Sequence, residues 1–254
     1  MIQKATDIQK TAAKAKIGCC GFTVSQAEYF RLFQLIEIQQ TFYQLPQLKT
    51  AERWQQSAPQ GFEFTMKAWQ LITHEPTSPT YRRLREKIEP SRAACYGSFR
   101  STDEVIEAWR RTAQFARSLG AGIILFQCPA SFEPNRENIA NMQKFFTTID
   151  RQGFCLAWEP RGAAWSSELI FELCRNLDLI HCVDPFKDKP QYGNFHYFRL
   201  HGISGYTYRY TDQDLQTLIA WVREKPTYVL FNNQWMKENA LRFMELIEQQ
   251  GASC

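Results

Sequence analysis

The stretch FHYFRLHG at residues 195–202 places two ionisable side chains at the end of an otherwise aromatic segment. Its aromatic composition, its lack of proline and its terminal glycine are typical of a β-strand. Because strand side chains alternate between two faces, Tyr197, Arg199 and His201 share one face. Ionisable groups with perturbed pKa values gather at functional sites. We therefore predict a functional site at this strand end, the alternative being a hydrogen-bonded pair in a polar core.

Most other predicted strands also end in polar or ionisable side chains, although their remaining positions are largely apolar. In parallel α/β barrels the active site lies at the carboxyl ends of the strands. Burial of charges without partners is costly, so these groups should form one network around a shared cavity. In chain order the candidates are Glu37, Gln39, Thr41, Lys67, Gln127, Glu159, Arg161, Asp184, Arg199, His201, Asn232 and Asn233.

Several candidates have a chemistry that suggests a role. Glu37, Glu159 and Asp184 are carboxylates that could act as general bases or as metal ligands. Lys67 and Arg199 could hold a phosphate or a carboxylate. A buried ion pair between Glu37 and Lys67 on neighbouring strands is the structural alternative.

The remaining candidates are two histidines and a set of aromatic residues. His201 and His74 could transfer protons near neutral pH, although His74 falls in a predicted loop where an exposed histidine is the alternative. Trp165 follows a strand end and could line an aromatic rim with Tyr206, Tyr208 and Tyr210, or pack within the loops.

The elements that must position these residues alternate along the chain. Strands that alternate with helices indicate parallel pairing, and eight of them fit a closed (β/α)8 barrel of the TIM type. A doubly wound sheet is the alternative, but no GxGxxG motif follows the first strand. The link at residues 185–194 lacks helical periodicity, so a helix should be missing between strands six and seven. The predicted strands are 16–21, 35–42, 61–68, 121–129, 154–160, 179–184, 195–202 and 227–233.

Residues 69–102 interrupt this alternation with no clear strand and with several prolines. Connections of this length are often functional, so we predict a lid-like insertion over the barrel mouth. It contains the basic stretch YRRLREKIEPSR from residue 81, which is either a solvated helix face or a phosphate-backbone contact. Asp103 is predicted to cap the helix that follows, and Gly120 to end it.

Length and composition favour one soluble domain. The chain has 254 residues, 44% hydrophobic and 22% charged, with a net charge of +4. We predict a polar extension over residues 1–15 and a single barrel domain over 16–254. The apolar runs are too short to cross a bilayer, and the N-terminal residues lack the apolar segment of a secretory signal peptide. The eight cysteines include no CxxC pair. We expect a cytoplasmic protein with free thiols and with four strand cysteines buried at 19, 128, 155 and 182.

Taken together, the strand-end motifs resemble the YecE-like family, also called domain of unknown function 72. The resemblance implies a single TIM-like barrel without an established reaction. The family usually has Trp where Phe22 stands, Asn where Gln39 stands, and Glu-Phe-Arg-His where this chain has Glu159, Pro160, Arg161 and Gly162. The matching motifs are GCCG at 18–21, EIQQTFY at 37–43, LP at 45–46, FTMK at 64–67, ITH at 72–74, LFQCP at 125–129, EPR at 159–161, Trp165, YFRLHG at 197–202 and FNN at 231–233.

The leading hypothesis is an enzyme that acts on a small phosphate- or carboxylate-bearing substrate by acid–base chemistry. Arg199 and Lys67 would bind the anion, Glu159 or Glu37 would move a proton, and His201 would be the partner. The site should need no metal, because Lys67, Arg161 and Arg199 would repel a divalent cation, and the sequence requires no cofactor. The alternative is a nucleic-acid-binding protein or a barrel-endonuclease-like nuclease. A scaffold with a vestigial mouth is a third option.

Overall fold

The computed structural model describes residues 15–252 and shows a closed barrel of eight parallel strands. Each strand pairs with the next along the chain, and the eighth pairs with the first, in register from Ala15 with Thr227 to Cys19 with Phe231. The predicted TIM-like barrel is confirmed. The strands are β1 (Ala15–Cys19), β2 (Leu35–Ile38), β3 (Glu63–Lys67), β4 (Ala121–Gln127), β5 (Cys155–Glu159), β6 (Ile180–Val183), β7 (His196–Leu200) and β8 (Thr227–Phe231).

Helices surround the barrel and connect most successive strands. Between β6 and β7 the chain has turns only, which confirms the predicted absence of a helix there. The helices are α1 (Gln26–Leu32), α2 (Gln40–Tyr43), α3 (Leu48–Ser57), α4 (Gln70–Thr73), α5 (Asp103–Leu119), α6 (Arg136–Thr148), α7 (Ser167–Asn176), α8 (Asp212–Val222) and α9 (Met236–Ala252), with two 3-10 helices at Pro79–Arg83 and Pro90–Cys95.

Alternating side chains divide the core into two regions. One set points into the barrel and includes Leu35, Ile123, Leu125 and Tyr197. The opposite set packs against the surrounding helices and forms the larger cluster. Since β7 alternates in the same way, Tyr197 and Arg199 project into the interior while Phe198 packs outward.

Hydrogen-bonding side chains set several helix ends. Ser25 caps α1, and Gly120 ends α5, as predicted, with φ of 70°. The predicted cap of α5 at Asp103 is wrong by one residue, because the Thr102 hydroxyl accepts from the Val105 N–H. Asp103 instead lies in the first helical turn, where its charge suits the helix dipole.

The second strand is shorter than predicted. It ends at Ile38, and the next residues form α2, so Thr41 does not share the face of Glu37. The Thr41 hydroxyl instead donates to the carbonyl oxygens of Ile38 at 2.9 Å and Lys67 at 2.7 Å. Thr41 thereby ties the carboxyl ends of β2 and β3 together.

The insertion at 69–102 begins at the carboxyl end of β3 and contains α4 and both 3-10 helices. It packs beside α2 and α5: the Arg83 guanidinium lies 3.4 Å from the Tyr43 ring centre, and Glu86 is paired with Arg111 of α5. Its start is therefore at the same end of the barrel as the predicted site. That the whole insertion covers the mouth stays a prediction.

The remaining predictions concern the termini, the cysteines and membranes. Residues 1–14 of the predicted extension lie outside the described residues, as does Cys254. The seven described cysteines are free thiols; Cys155 is exposed, so its predicted burial is wrong, and Cys128 lies just beyond β4. No helix within residues 15–252 has the length and hydropathy to span a membrane.

Candidate active site at the barrel mouth

Arg199 on β7 is the centre of a buried charge network. Its side chain is 0% exposed and lies between two carboxylates from other strands. Its Nε donates to Glu37 Oε1 of β2 at 3.1 Å, Nη2 lies 3.0 Å from the same oxygen, and Nη1 pairs with Glu159 Oε2 of β5. Burial disfavours the charged guanidinium, but Glu159 and Glu37 hold the pKa of Arg199 well above its ordinary value.

Glu37 is held from its other side as well. Its Oε2 accepts from the Tyr197 hydroxyl at 2.8 Å, and that hydroxyl also lies 2.8 Å from Thr65 Oγ1. The Cys20 thiol donates to Glu37 Oε1 at 3.4 Å. Burial, together with the nearby Glu37 charge, raises the pKa of Tyr197 and of Cys20 well above their ordinary values, so both stay protonated as donors.

Glu159 joins this interior network to the mouth. Arg161 donates to Glu159 Oε1 from Nε at 3.1 Å and from Nη2 at 2.8 Å. Burial disfavours the carboxylate, yet the pKa of Glu159 is held well below its ordinary value by Arg199 and Arg161. Glu159 is therefore an ionised anchor for two guanidinium groups.

His201 lies between Arg161 and Asp184. Its Nε2 is 3.1 Å from Arg161 Nη2, and its Nδ1 is 3.6 Å from Asp184 Oδ2. Because a guanidinium can only donate, Nε2 must be the accepting nitrogen, and the ring proton lies on Nδ1 towards Asp184. Asp184 is fixed by the backbone N–H groups of His201 at 3.0 Å and Phe186 at 3.1 Å.

The turn after His201 requires glycine. Gly202 has φ of +86°, and a Cβ there would lie 2.1 Å from the Gly205 carbonyl oxygen. The Gly202 N–H donates to the Tyr210 hydroxyl at 2.9 Å. This close turn fixes the backbone next to His201 and so helps to aim the imidazole.

A cavity of about 530 Å³ opens between the carboxyl ends of β5, β6 and β7. Glu159, Arg161, Asp184 and His201 all lie on its wall. The side chain of Arg161 is 39% exposed and that of His201 is 20% exposed, so a ligand in the cavity can reach both. Such a concave site with converging polar groups is the usual form of a small-molecule site.

Lys67 on β3 lies outside the ion pairs. Its Nζ donates to Gln127 Oε1 at 2.9 Å and is 4.0 Å from the Phe42 ring centre. Within the described residues, no carboxylate lies within 4.0 Å of this amine, so the Glu37–Lys67 ion pair of the structural alternative is not formed. Gln127 Oε1 also lies 3.4 Å from Arg199 Nη1, which connects Lys67 to the charge network.

The surroundings of Lys67 favour a neutral amine. Burial first, and then the Arg199 charge, lower the pKa of Lys67 from 10.5 to about 7, a change worth roughly 5 kcal/mol. The Phe42 ring stabilises the ammonium form by ~0.5–2 kcal/mol, which is too little to cancel this effect. The environment of Lys67 therefore favours the neutral amine more than solvent does.

His74 is buried, so the expectation of an exposed loop histidine is wrong. Its ring packs edge-on against Phe42 at 4.8 Å, and its Nδ1 lies 2.8 Å from the Thr73 hydroxyl. Burial first, and then the charges of Lys67 and Arg161, lower the pKa of His74 to about 3. His74 therefore stands beside Lys67 as a neutral ring.

The other predicted residues are placed near the mouth in supporting positions. Trp165 is buried in the cavity wall, where its indole donates to the Phe132 carbonyl oxygen at 3.0 Å. Asn232 accepts from Gln39 at 2.8 Å and joins β8 to the end of β2. Asn233 donates to the Tyr208 carbonyl oxygen at 2.6 Å and is bound to a loop, away from the charge network.

Sequence reasoning missed three contributors to the site. Thr65 lies on the same strand face as Lys67, so alternation along β3 was a usable signal. Cys20 and Phe42 gave no such signal, because their contacts with Glu37 and Lys67 depend on how the loop and α2 fold back. Only the closed barrel brings them to the mouth.

The carboxylates of the mouth have hydrogen-bond donors and cationic partners within the protein. Among residues 15–252, no group of three or more His, Cys, Asp and Glu side chains is arranged to hold a metal ion. Glu37 and Glu159 are both paired with Arg199.

Comparison with known proteins identifies the family. The family described as "Protein of unknown function DUF72" matches residues 25–253. The chain belongs to this family. The resemblance drawn from the strand-end motifs is thus confirmed, since YecE-like is a synonym of DUF72.

Relatives of this DUF72 protein share its barrel at low sequence identity. The UPF0759 protein YunF of Bacillus subtilis is 24% identical over 262 residues, with 87% of this chain and 85% of YunF covered. A DUF72 protein of Enterococcus faecalis has a TM-score of 0.70 at 22% identity, covering 92% of this chain and 97% of its own. One from Thermotoga maritima has a TM-score of 0.64 at 20% identity, covering 92% and 99%. These structural likenesses show the fold.

Proposed function

We propose that this DUF72 protein is an enzyme that binds a small phosphate- or carboxylate-bearing substrate in the mouth cavity and acts on it by proton transfer. The observation that carries the proposal is the joining of Arg161, His201 and Asp184 on the wall of one cavity. This arrangement supplies an anion-binding donor next to a base whose orientation is fixed.

Arg161 is better suited than Arg199 to hold the anion. The Arg199 guanidinium is fully buried and its nitrogens are directed at Glu37 and Glu159. Arg161 is partly exposed, and its hydrogen bonds to Glu159 and His201 use Nε and Nη2, which leaves Nη1 to bind a ligand. Arg199 is therefore proposed as a positioning residue, while Arg161 provides the positive charge that binds the anion.

His201 is the proposed proton carrier. Its Nε2 accepts from Arg161 in the free protein, and Asp184 faces Nδ1. An anion that draws Arg161 towards itself frees Nε2 to accept a proton from the substrate. Glu159 stays ionised between Arg199 and Arg161, so it orients these groups and makes a poor proton donor.

Calorimetric titration of inorganic phosphate and of lactate into the full chain tests this proposal. We expect Arg161→Met to weaken binding about 10- to 100-fold, the cost of one charge-assisted contact. Arg110→Met is the matched control, because Arg110 is an exposed surface arginine paired with Glu107. Absence of binding, or equal binding by all three proteins, would contradict the proposal.

Nucleic-acid binding is the second candidate, favoured by exposed cations on the insertion. Within the described part of the chain, no carboxylate lies within 4.0 Å of Arg82, Arg85 or Lys87. Single-stranded and duplex DNA binding measured between 50 and 200 mM salt separates the candidates, because phosphate-backbone binding falls steeply with salt. A steep salt slope that Arg82→Ser and Arg85→Ser reduce would favour this candidate over the enzyme.

A further inference from the structure

We propose that Lys67 is a nucleophile that forms a Schiff base with the carbonyl carbon of an anionic aldehyde or ketone. This inference rests on the proposed function, because it places the substrate anion in the same mouth, and it narrows the substrate class to carbonyl compounds.

The contacts of Lys67 differ from those of a lysine whose role is to complete an ion pair. Its amine has one amide acceptor, Gln127, and an aromatic face, Phe42, and no carboxylate within residues 15–252 lies within 4.0 Å of it. Lys16 shows the opposite arrangement, paired with Glu63 and in contact with Tyr228. Burial and the Arg199 charge lower the pKa of Lys67 although Glu159 and Glu37 act against them, and a lowered pKa favours the free lone pair that attack on a carbonyl requires.

The mouth supplies what the addition step needs. Attack of the Lys67 nitrogen on the carbonyl carbon places negative charge on the oxygen, which positive groups such as Arg161 can stabilise. The nitrogen passes its first proton to the alkoxide, which becomes a hydroxyl, and gives up its second proton as that hydroxyl takes up a proton and leaves as water, so that the imine forms. Amine and carbonyl give imine and water, so the step needs no oxidant or reductant. His201 can carry these protons from the nitrogen to the oxygen.

The Lys67 amine is almost fully buried and is held by a partly exposed side chain. Lys67 is 5% exposed, while Gln127, which accepts from its amine, is partly exposed at the end of β4. A substrate carbonyl would have to displace the Gln127 amide to reach the nitrogen. The same amide oxygen lies 3.4 Å from Arg199 Nη1, and His201 Nε2 also lies 3.4 Å from that nitrogen, so Lys67 and His201 belong to one cluster.

Borohydride trapping tests the inference. The full chain is incubated with pyruvate at pH 7.5, reduced with sodium borohydride, digested, and the modified lysines are located by mass spectrometry. We expect Lys67 to be modified at least tenfold faster than Lys16 or Lys225, which serve as internal controls in the same sample. Lys67→Arg, checked for folding by circular dichroism, should lose the selective adduct, and inorganic phosphate should slow its formation in the wild type.

The two proposals fail in different ways. If modification is no faster at Lys67 than at the control lysines, while lactate and phosphate still bind through Arg161, the Schiff-base inference is overturned and the anion-binding enzyme stands. If lactate and phosphate do not bind at all, the proposed function fails, and with it this inference. A selective Lys67 adduct that phosphate suppresses supports both.

Discussion

At the scale of single residues, the buried cation Arg199 is the part of the site on which the others depend. Two carboxylates from β2 and β5 share its guanidinium, which is itself 0% exposed. Breaking a buried pair by removal of one partner typically costs about 3–5 kcal/mol, because the remaining charge stays buried. Removal of Arg199 would leave Glu37 and Glu159 buried without their shared cation, so we expect its loss to destabilise the fold.

We now predict that Arg199→Met lowers the free energy of unfolding by about 3–5 kcal/mol. Urea denaturation followed by circular dichroism measures this change. Arg110→Met, at the exposed pair with Glu107, should change the free energy by no more than about 1 kcal/mol. Equal stability of the two variants would show that the charge network does not support the fold.

Lys67 should make the free energy of unfolding depend on pH, in a direction set by its lowered pKa. Because its pKa is lowered from 10.5 to about 7 in the folded protein, the unfolded chain binds more protons across that window. Stability therefore rises with pH from about 7 towards 10.5, and the contribution is flat below about pH 6. The stability difference between wild type and Lys67→Met should rise by about 3 kcal/mol between pH 7 and pH 9.5.

Urea denaturation of both proteins over this pH range measures the difference. Subtraction of the two free energies of unfolding cancels the contribution of titratable groups that both proteins share. A difference that stays constant from pH 7 to pH 9.5 would mean that Lys67 titrates normally. The amine would then be an ordinary ammonium group, and its role as a nucleophile would lose its support.

At the scale of elements, the sequence was enough to predict that each strand exists, but the residue at which a strand ends was harder to predict. Alternating or continuous apolar residues predicted the eight strands. The alternation also extended β2 into residues 39–42, since Gln39 and Thr41 fall on the face of Glu37. The chain instead turns into α2, where the Thr41 hydroxyl bonds to the Lys67 carbonyl oxygen of the next strand. Such a tertiary contact leaves no local pattern.

The insertion depends on contacts with α5 that also had no signal in the sequence. Arg111 donates to Glu86 at 2.9 Å, and its guanidinium lies 4.5 Å from the Trp69 ring centre. We predict that Arg111→Leu loosens residues 75–101 by roughly 1 kcal/mol, which corresponds to about fivefold faster hydrogen exchange in that segment.

Hydrogen exchange followed by mass spectrometry measures this loosening peptide by peptide. Arg110→Leu is the matched control. Arg110 is the residue next to Arg111 on α5, and within residues 15–252 its ion pair is with Glu107 of the same helix. If both variants exchange alike over residues 75–101, the Arg111 contacts do not hold the insertion. If phosphate slows exchange in the wild-type segment, the predicted lid lies over the ligand.

At the scale of the whole molecule, the barrel explains why the site could be predicted in outline only. Parallel strands bring all carboxyl ends to one mouth, so most of the candidate residues followed from strand ends alone. The partners did not follow, because Glu37, Glu159 and Arg199 come from β2, β5 and β7, which are not neighbours in the sheet. Their meeting across the interior depends on closure and register, which no local pattern specifies.

The most direct test of the central claim, that the mouth holds a small anion at Arg161 beside His201, is a crystal structure with selenate. Anomalous scattering from selenium locates the ion without reference to the protein coordinates. We predict a peak in the cavity between β5, β6 and β7, in contact with Arg161 and close to His201, which is lost in Arg161→Met crystals. A peak found only at exposed arginines of the insertion, or an unchanged peak in Arg161→Met, would contradict the account.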